Sequence, residues 1–183
     1  KAGAQMHELA NGIDHRAVES VREAKSFGRE TTFHEDISNR YMLETVLFTL
    51  VDDVCHSLRA HHVKGRTVSI KIRYPDFKSI TRAITLEQYT SSFEPVYNTV
   101  KQLMEHNYKD GTPVRLIGVT VSNLKPEADI IEQQDLFTDK TAKKKVETLN
   151  KVLDNLNDKY GGNTVHRARK INQKTGTFSE ESR

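Results

Sequence analysis

The chain has 183 residues, with 28 Lys+Arg against 25 Asp+Glu and a formal net charge of +3. At 36% hydrophobic, 29% charged and a mean hydropathy of −0.66, it can bury one real core but leaves part of its length outside. No apolar run approaches the roughly 18–20 residues of a membrane helix, the single cysteine excludes an internal disulfide framework and fits a reducing compartment, and the net charge is too small to announce nucleic acid by itself.

Lys1 opens the chain without a basic-then-apolar signal segment, so the sequence reads as a fragment of something longer. Residues 1–24 are weakly periodic and cannot build a core; Leu9 to Asp14 reads as a helix end and a turn, with Gly12 at the stop and Asp14 available to cap the next element. This stretch is the edge of a neighbouring domain plus a linker.

Ser26 to Phe33 reads as a strand. A long helix comes next, with Ser38 as N-cap and an apolar face of Leu43, Leu47, Leu50, Val51, Val54 and Leu58. Gly65 breaks the pattern, and Arg66 to Tyr74 then alternates, with Val68, Ile70, Ile72 and Tyr74 on one face and Thr67, Ser69, Lys71 and Arg73 on the other. Pro75-Asp76 turns the chain into Ser79 to Leu86. Ser91 and Glu94 have capping-box spacing ahead of a helix faced by Phe93, Val96, Val100, Leu103 and Met104, and Val114 to Ser122 is the last strand. The order β-α-β-β-α-β predicts an α+β fold: a four-stranded antiparallel sheet with both helices on one face, a ferredoxin-like arrangement. The other sheet face is left open, either solvated or used.

After Pro126 an acidic stretch leads to Leu136 and Phe137. Residues 139–160 read as a third helix striped by Val146, Leu149, Leu153, Leu156 and Tyr160, stopped by Gly161-Gly162, and the chain from Thr175 onward has a disordered composition.

Charge is placed unevenly. Across the hairpin, Lys64, Arg66, Lys71, Arg73, Lys78 and Arg82 stand against Asp76 alone, a net of +5. From Glu35 to Asp53, Arg40 stands against Glu35, Asp36, Glu44, Asp52 and Asp53, a net of −4. A basic open face backed by an acidic helix suits phosphate contact, and Ser, Thr, Lys and Arg are the side chains that make it. The same residue types also suit a merely solvated antiparallel face. The stretch Lys25 to Phe33 resembles the aromatic signature of RNA-recognition modules, but it falls on the first strand, and the third strand has no aromatic through Leu86. The chemistry favours backbone contact over base reading.

No catalytic constellation is visible. Asp52 and Asp53 are adjacent on a helix and diverge by about 100°. Cys55, His56, His61 and His62 match no usual zinc spacing and read as a buried thiol beside a surface histidine cluster. A mid-helix Cys55 beside the apolar stripe is a poor nucleophile.

Three blocks carry a family resemblance: Lys25 to Phe33, Gly65 to Leu86, and Pro113 to Val119. Together they resemble the little-finger domain of Y-family DNA polymerases in its bacterial branch, and Leu9 to Asp14 is similar to the end of the polymerase thumb. The resemblance implies residues 1–24 as thumb end and linker, 25–124 as a DNA-binding little finger, 125–137 as a tail, and 138–183 as a helical extension with a polar end. It implies an error-prone, lesion-bypass polymerase of the bacterial cytoplasm as parent, with this chain inactive alone because the catalytic palm lies elsewhere. Magnesium belongs to that parent, and no cofactor is expected in this chain. The expected DNA contacts are Ser26, Arg29, Thr32, Arg66, Ser69, Lys71, Arg73, Thr81, Arg82 and Arg115. Arg82 and Arg115 share alternation parity with apolar Ile80 and Ile117, which leaves their direction open.

Gln133-Gln134-Asp135-Leu136-Phe137 resembles the bacterial sliding-clamp-binding pentapeptide. Leu136 and Phe137 would fill an apolar pocket while Gln133 makes the orienting hydrogen bonds, and Asp135 completes the expected clamp-binding set. The other reading makes Leu136 and Phe137 a staple for the third helix. The implied partners are primer-template DNA and a sliding clamp, with no membrane and a monomeric chain; a free-standing nucleic-acid-binding module of the same fold is the alternative. About 46 residues lie beyond the pentapeptide, and they have no assigned role.

Overall fold

A computed structural model describes residues 2–17, 24–130, 140–161 and 165. The elements are α1 (Ala2–Ala10), β1 (Ser26–Ile37), α2 (Arg40–Ala60), β2 (Val63–Arg73), β3 (Ser79–Thr90), α3 (Phe93–Asn107), β4 (Val114–Pro126), a single 3-10 turn (Glu127–Asp129) and α4 (Lys140–Tyr160). The expected β-α-β-β-α-β order is present, and the four strands form one antiparallel sheet in the order β1-β4-β2-β3. Helices α2 and α3 therefore each join two strands that have a third strand between them. The central strands are β4 and β2, and β3 is an edge.

Val68, Ile70 and Ile72 of β2 and Ile117, Val119 and Val121 of β4 supply the sheet side of the core. Leu43, Leu47, Val51, Val54 and Leu58 of α2 and Val96, Val100 and Met104 of α3 close over it, all nearly inaccessible to solvent. Phe48 bridges the two helices, with ring centroids 4.7 Å from Phe93 and 5.4 Å from Tyr97.

The strands outrun the alternation that marks them. β1 pairs regularly up to Thr32↔Leu116 and then bulges before Ile37↔Val114; β3 bulges between Thr85↔Thr67 and Thr90↔Gly65. A bulge resets the period-two pattern, so pairing continues where the sequence signal stops. Gly65 lies inside β2 rather than ending the helix-strand connection, because β2 passes so close to β4 that a Cβ there would collide with Val121 Cγ1.

Two caps differ from expectation. Asn39, not Ser38, caps α2, its Oδ1 accepting the Met42 N–H at 3.2 Å, while the Ser38 carbonyl accepts from Tyr108 Oη at 3.0 Å. For α3 the N-cap is Ser92, without a side-chain capping bond, and the Ser91 carbonyl is taken by Arg59 Nη1 at 3.1 Å. At the start of the chain Gly12 does sit at φ +75° beyond α1, and Asp14 pairs with Arg16 at 2.6 Å.

Helix α4 docks on the end of α2 through polar groups. Asp154 accepts from Arg59 Nη2 at 2.9 Å and Nε at 2.5 Å, and lies 3.1 Å from His56 Nδ1, while Asn150 is 3% exposed. The expected apolar stripe does not make this contact as a unit: Leu153 and Leu156 are half-buried, whereas Val146, Leu149 and Tyr160 are exposed. Gly161 follows at φ +102°.

Candidate nucleic-acid interface

Strand register turns the open face into a grid of four rows, each running β1, β4, β2, β3. The rows are Ser26-Ser122-Thr67-Thr85, Gly28-Thr120-Ser69-Ala83, Glu30-Gly118-Lys71-Thr81 and Thr32-Leu116-Arg73-Ser79. Nine of these sixteen positions are Ser or Thr and none is aromatic, so the surface offers hydroxyls rather than stacking platforms. The middle of the grid is small. A Cβ on Gly118 would come within 2.8 Å of Glu30 Cβ, and one on Gly28 within 2.6 Å of Thr120 Oγ1. Leu116, flanked by Thr32 and Arg73, is buried.

Hydrogen bonds hold the polar side chains in place. Lys71 Nζ reaches across Gly118 to Glu30 Oε2 at 2.8 Å, and Arg73 Nε donates to Ser79 Oγ at 2.9 Å. Ser69 Oγ donates to the Thr120 carbonyl at 3.2 Å, and the Thr67 and Thr85 hydroxyls are 3.0 Å apart. Guanidinium, ammonium and hydroxyl groups fixed on a small-centred surface can approach a phosphodiester backbone closely and donate to it.

The face gathers Ser26, Thr32, Ser69, Lys71, Arg73 and Thr81 from the expected contact set. The sixteen grid positions do not include the four remaining arginines. Arg29 and Arg82 occupy one row with Val119 and Ile70, on the helix-bearing side at opposite edges of the sheet. Arg29 Nη2 donates to Ser57 Oγ of α2 at 3.2 Å, and Arg82 Nη1 to the Thr81 carbonyl at 2.9 Å. Arg66 lies 5.3 Å over the Tyr89 ring, its Nε buried without a hydrogen-bond partner. Arg115 pairs with Asp36 at 3.5 Å, where β1 bulges.

The expected concentration of positive charge on the open face is corrected accordingly. Of the hairpin cations only Lys71 and Arg73 stand on the grid, against Glu30, so its net charge is +1. Lys64 is buried and pairs with Glu127 at 3.4 Å, and Lys78 pairs with Asp76 at 2.9 Å in the turn. A charge sum along a hairpin mixes two faces that the pleat separates. The grid positions missed from sequence, Glu30, Gly118, Thr120, Ser122 and Thr85, needed strand order and register, which one strand's alternation does not carry.

The remaining candidates have structural partners. Cys55 is fully buried in the core; His61 Nδ1 donates to the Ser57 carbonyl at 2.8 Å and its ring centroid is 4.7 Å from that of Phe27. Among the described residues no group of three or more His, Cys, Asp or Glu side chains is placed to hold a metal ion. No helix among them is long and apolar enough to cross a membrane. Gln133, Asp135, Leu136 and Phe137 lie outside the described residues.

Residues 24–136 match the family model described as the impB/mucB/samB family C-terminal domain. A curated DNA polymerase IV from Desulfatibacillum aliphaticivorans is 37% identical over 169 residues, covering 91% of this chain and 42% of that protein. One from Oceanobacillus iheyensis is 35% identical over 182 residues, covering 98% of this chain and 42% of that protein. The chain thus spans about two fifths of the length of these relatives. Among solved structures, a chain from the complex of the beta-clamp processivity factor and the little finger domain of PolIV overlays with a TM-score of 0.47 at 21% identity, covering 62% of this chain and 99% of that one.

Proposed function

The chain belongs to the impB/mucB/samB family through its C-terminal domain, and from that premise we propose that it is the DNA-gripping, noncatalytic part of an error-prone translesion polymerase of the Y family, of the bacterial DNA polymerase IV type. The open face holds the backbone of primer-template DNA, with Lys71 and Arg73 as the charged contacts and Ser26, Thr32, Ser69 and Thr81 as hydroxyl donors. The tail residues Gln133, Asp135, Leu136 and Phe137 tether the parent to a sliding clamp in the bacterial cytoplasm. Residues 1–24 continue the thumb, and nucleotidyl transfer and its magnesium reside in the rest of the polymerase.

The observation that carries this reading is the grid itself: hydroxyls and two cations, anchored by strand pairing, on the sheet face opposite α2 and α3. A surface of this kind recognises the shape and charge of a duplex backbone without reading sequence. The test is binding of a primer-template duplex by the 183-residue chain and by a Lys71→Ala/Arg73→Ala variant across a salt series. Each lost phosphate contact should lower the log–log salt slope by about one and weaken binding evenly across sequences. Equal affinity and equal slope for the two proteins overturn the reading. Nucleotide incorporation by the isolated chain would contradict the placement of catalysis elsewhere.

A further inference from the structure

Beyond the open face, the hairpin tip carries an aromatic side chain that folding does not explain. Phe77 is 70% exposed and has φ +63°. The tip is a three-residue loop: the Phe77 N–H donates to the Tyr74 carbonyl at 3.0 Å, and the Tyr74 N–H to the Lys78 carbonyl at 2.9 Å. Pro75 and Asp76 take the turn positions, and Phe77 takes the left-handed position that glycine ordinarily fills. A bulky residue there is a steric outlier. The loop is held without its ring, since Asp76 accepts the Lys78 N–H at 3.1 Å and pairs with Lys78 Nζ at 2.9 Å. A phenyl ring kept in solvent at a strained position points to a use outside the fold.

We propose that Phe77 stacks on an unpaired base of single-stranded DNA at the end of a duplex lying on the open face, an inference that rests on the function proposed above. The tip extends directly from the last row of the grid, Thr32-Leu116-Arg73-Ser79, and the grid itself has no aromatic residue. Bases within a duplex already stack on one another and offer a phenyl ring no face. Bases beyond the junction do, and an aromatic with cations beside it is how single strands are held without sequence preference. Arg73 and the 83%-exposed Lys78 side chain flank the tip and serve the phosphates on either side of that base.

The chain contains no tryptophan, so Phe77→Trp creates a single reporter at the site. Its fluorescence is titrated with a primer-template carrying a single-stranded template overhang and with a blunt duplex of the same paired sequence. The overhang should quench the emission strongly and the blunt duplex should not. Phe77→Ala should lower the ratio of overhang to blunt affinity by about fivefold or more. If both DNAs bind with unchanged emission and an unchanged ratio, the stacking inference is overturned, and the tip would belong with Tyr41 and Met42, exposed at the same end of the sheet, to a protein partner. If neither DNA binds the unaltered chain, the underlying DNA-gripping function fails first. Melting of both variants like the parent chain shows that the readout is not unfolding.

Discussion

Lys71 and Glu30 meet across Gly118, with Nζ 2.8 Å from Oε2 in the middle of the open face. Three strands must align for this contact, with β4 contributing a residue that has no side chain to block it. The contact also sets the charge of the face, because Glu30 occupies half of the cationic pair that DNA would use. Glu30→Ala should therefore strengthen duplex binding about two- to fivefold at low salt, with the gain shrinking as salt rises. Fluorescence anisotropy with a labelled duplex checks it; weaker binding would mean that Glu30 positions Lys71 rather than competing for it. Gly118→Val should instead push β1 from β4 and destabilise the domain by about 1–3 kcal/mol in denaturant melts.

The docking of α4 is a second testable relationship. Burial pushes the Asp154 carboxyl up, but hydrogen bonds from Arg59 and His56 and their attraction outweigh this, and the group titrates below its ordinary value. A carboxyl with a lowered folded pKa stabilises the folded arrangement above its unfolded pKa of about 3.9 and loses that contribution as pH falls through the folded value. Protection of α4 amides from hydrogen exchange should accordingly persist at neutral pH and decline below about pH 4. Asp154→Asn should weaken that protection at neutral pH by about 1–3 kcal/mol while the β2 and β4 amides keep theirs. Equal loss in both regions would mean that α4 and the sheet open as one unit.

Phe77→Gly should raise stability by about 0.5–1 kcal/mol, because relief of the left-handed conformation exceeds the added unfolded-state freedom of glycine. Thermal or urea unfolding reads this directly. A loss of stability would place the Phe77 ring against the fold rather than away from it.

The tail has its own experiment. The 183-residue chain should bind a bacterial sliding clamp with modest, reversible affinity, as contacts through a short linear segment do. A Leu136→Ala/Phe137→Ala variant should lose that binding by about tenfold or more in a direct titration. Undiminished binding would leave those two residues to pack the C-terminal helix.

The sequence was most legible where one physical constraint acted alone. β2 is a central strand with one buried and one solvated face, so Val68, Ile70 and Ile72 alternate cleanly with Ser69, Lys71 and Arg73 and both faces were readable. The stripes of α2 and α3 were equally plain because both helices bury a single side. Legibility failed where two constraints competed. Arg29 and Arg82 alternate in phase with core residues, yet at sheet edges their guanidinium groups still reach solvent or a polar partner, so charge alone gave no side. Asn39 and Ser38 both have capping chemistry, and Tyr108, distant in sequence, decides between them by bonding the Ser38 carbonyl. Helix α4 carries an apolar stripe, yet it docks through Asn150 and Asp154, polar residues that the stripe does not single out.

The proposed function requires that DNA lie on the grid and not on the helices. Backbone amide and side-chain methyl NMR spectra of the chain, with and without a primer-template duplex, test it most directly. Perturbations are expected at Thr67, Ser69, Lys71, Arg73, Thr81 and Thr120, with the amides of α2 and α3 unmoved. Perturbations centred on α2 and α3, with the grid silent, would contradict it.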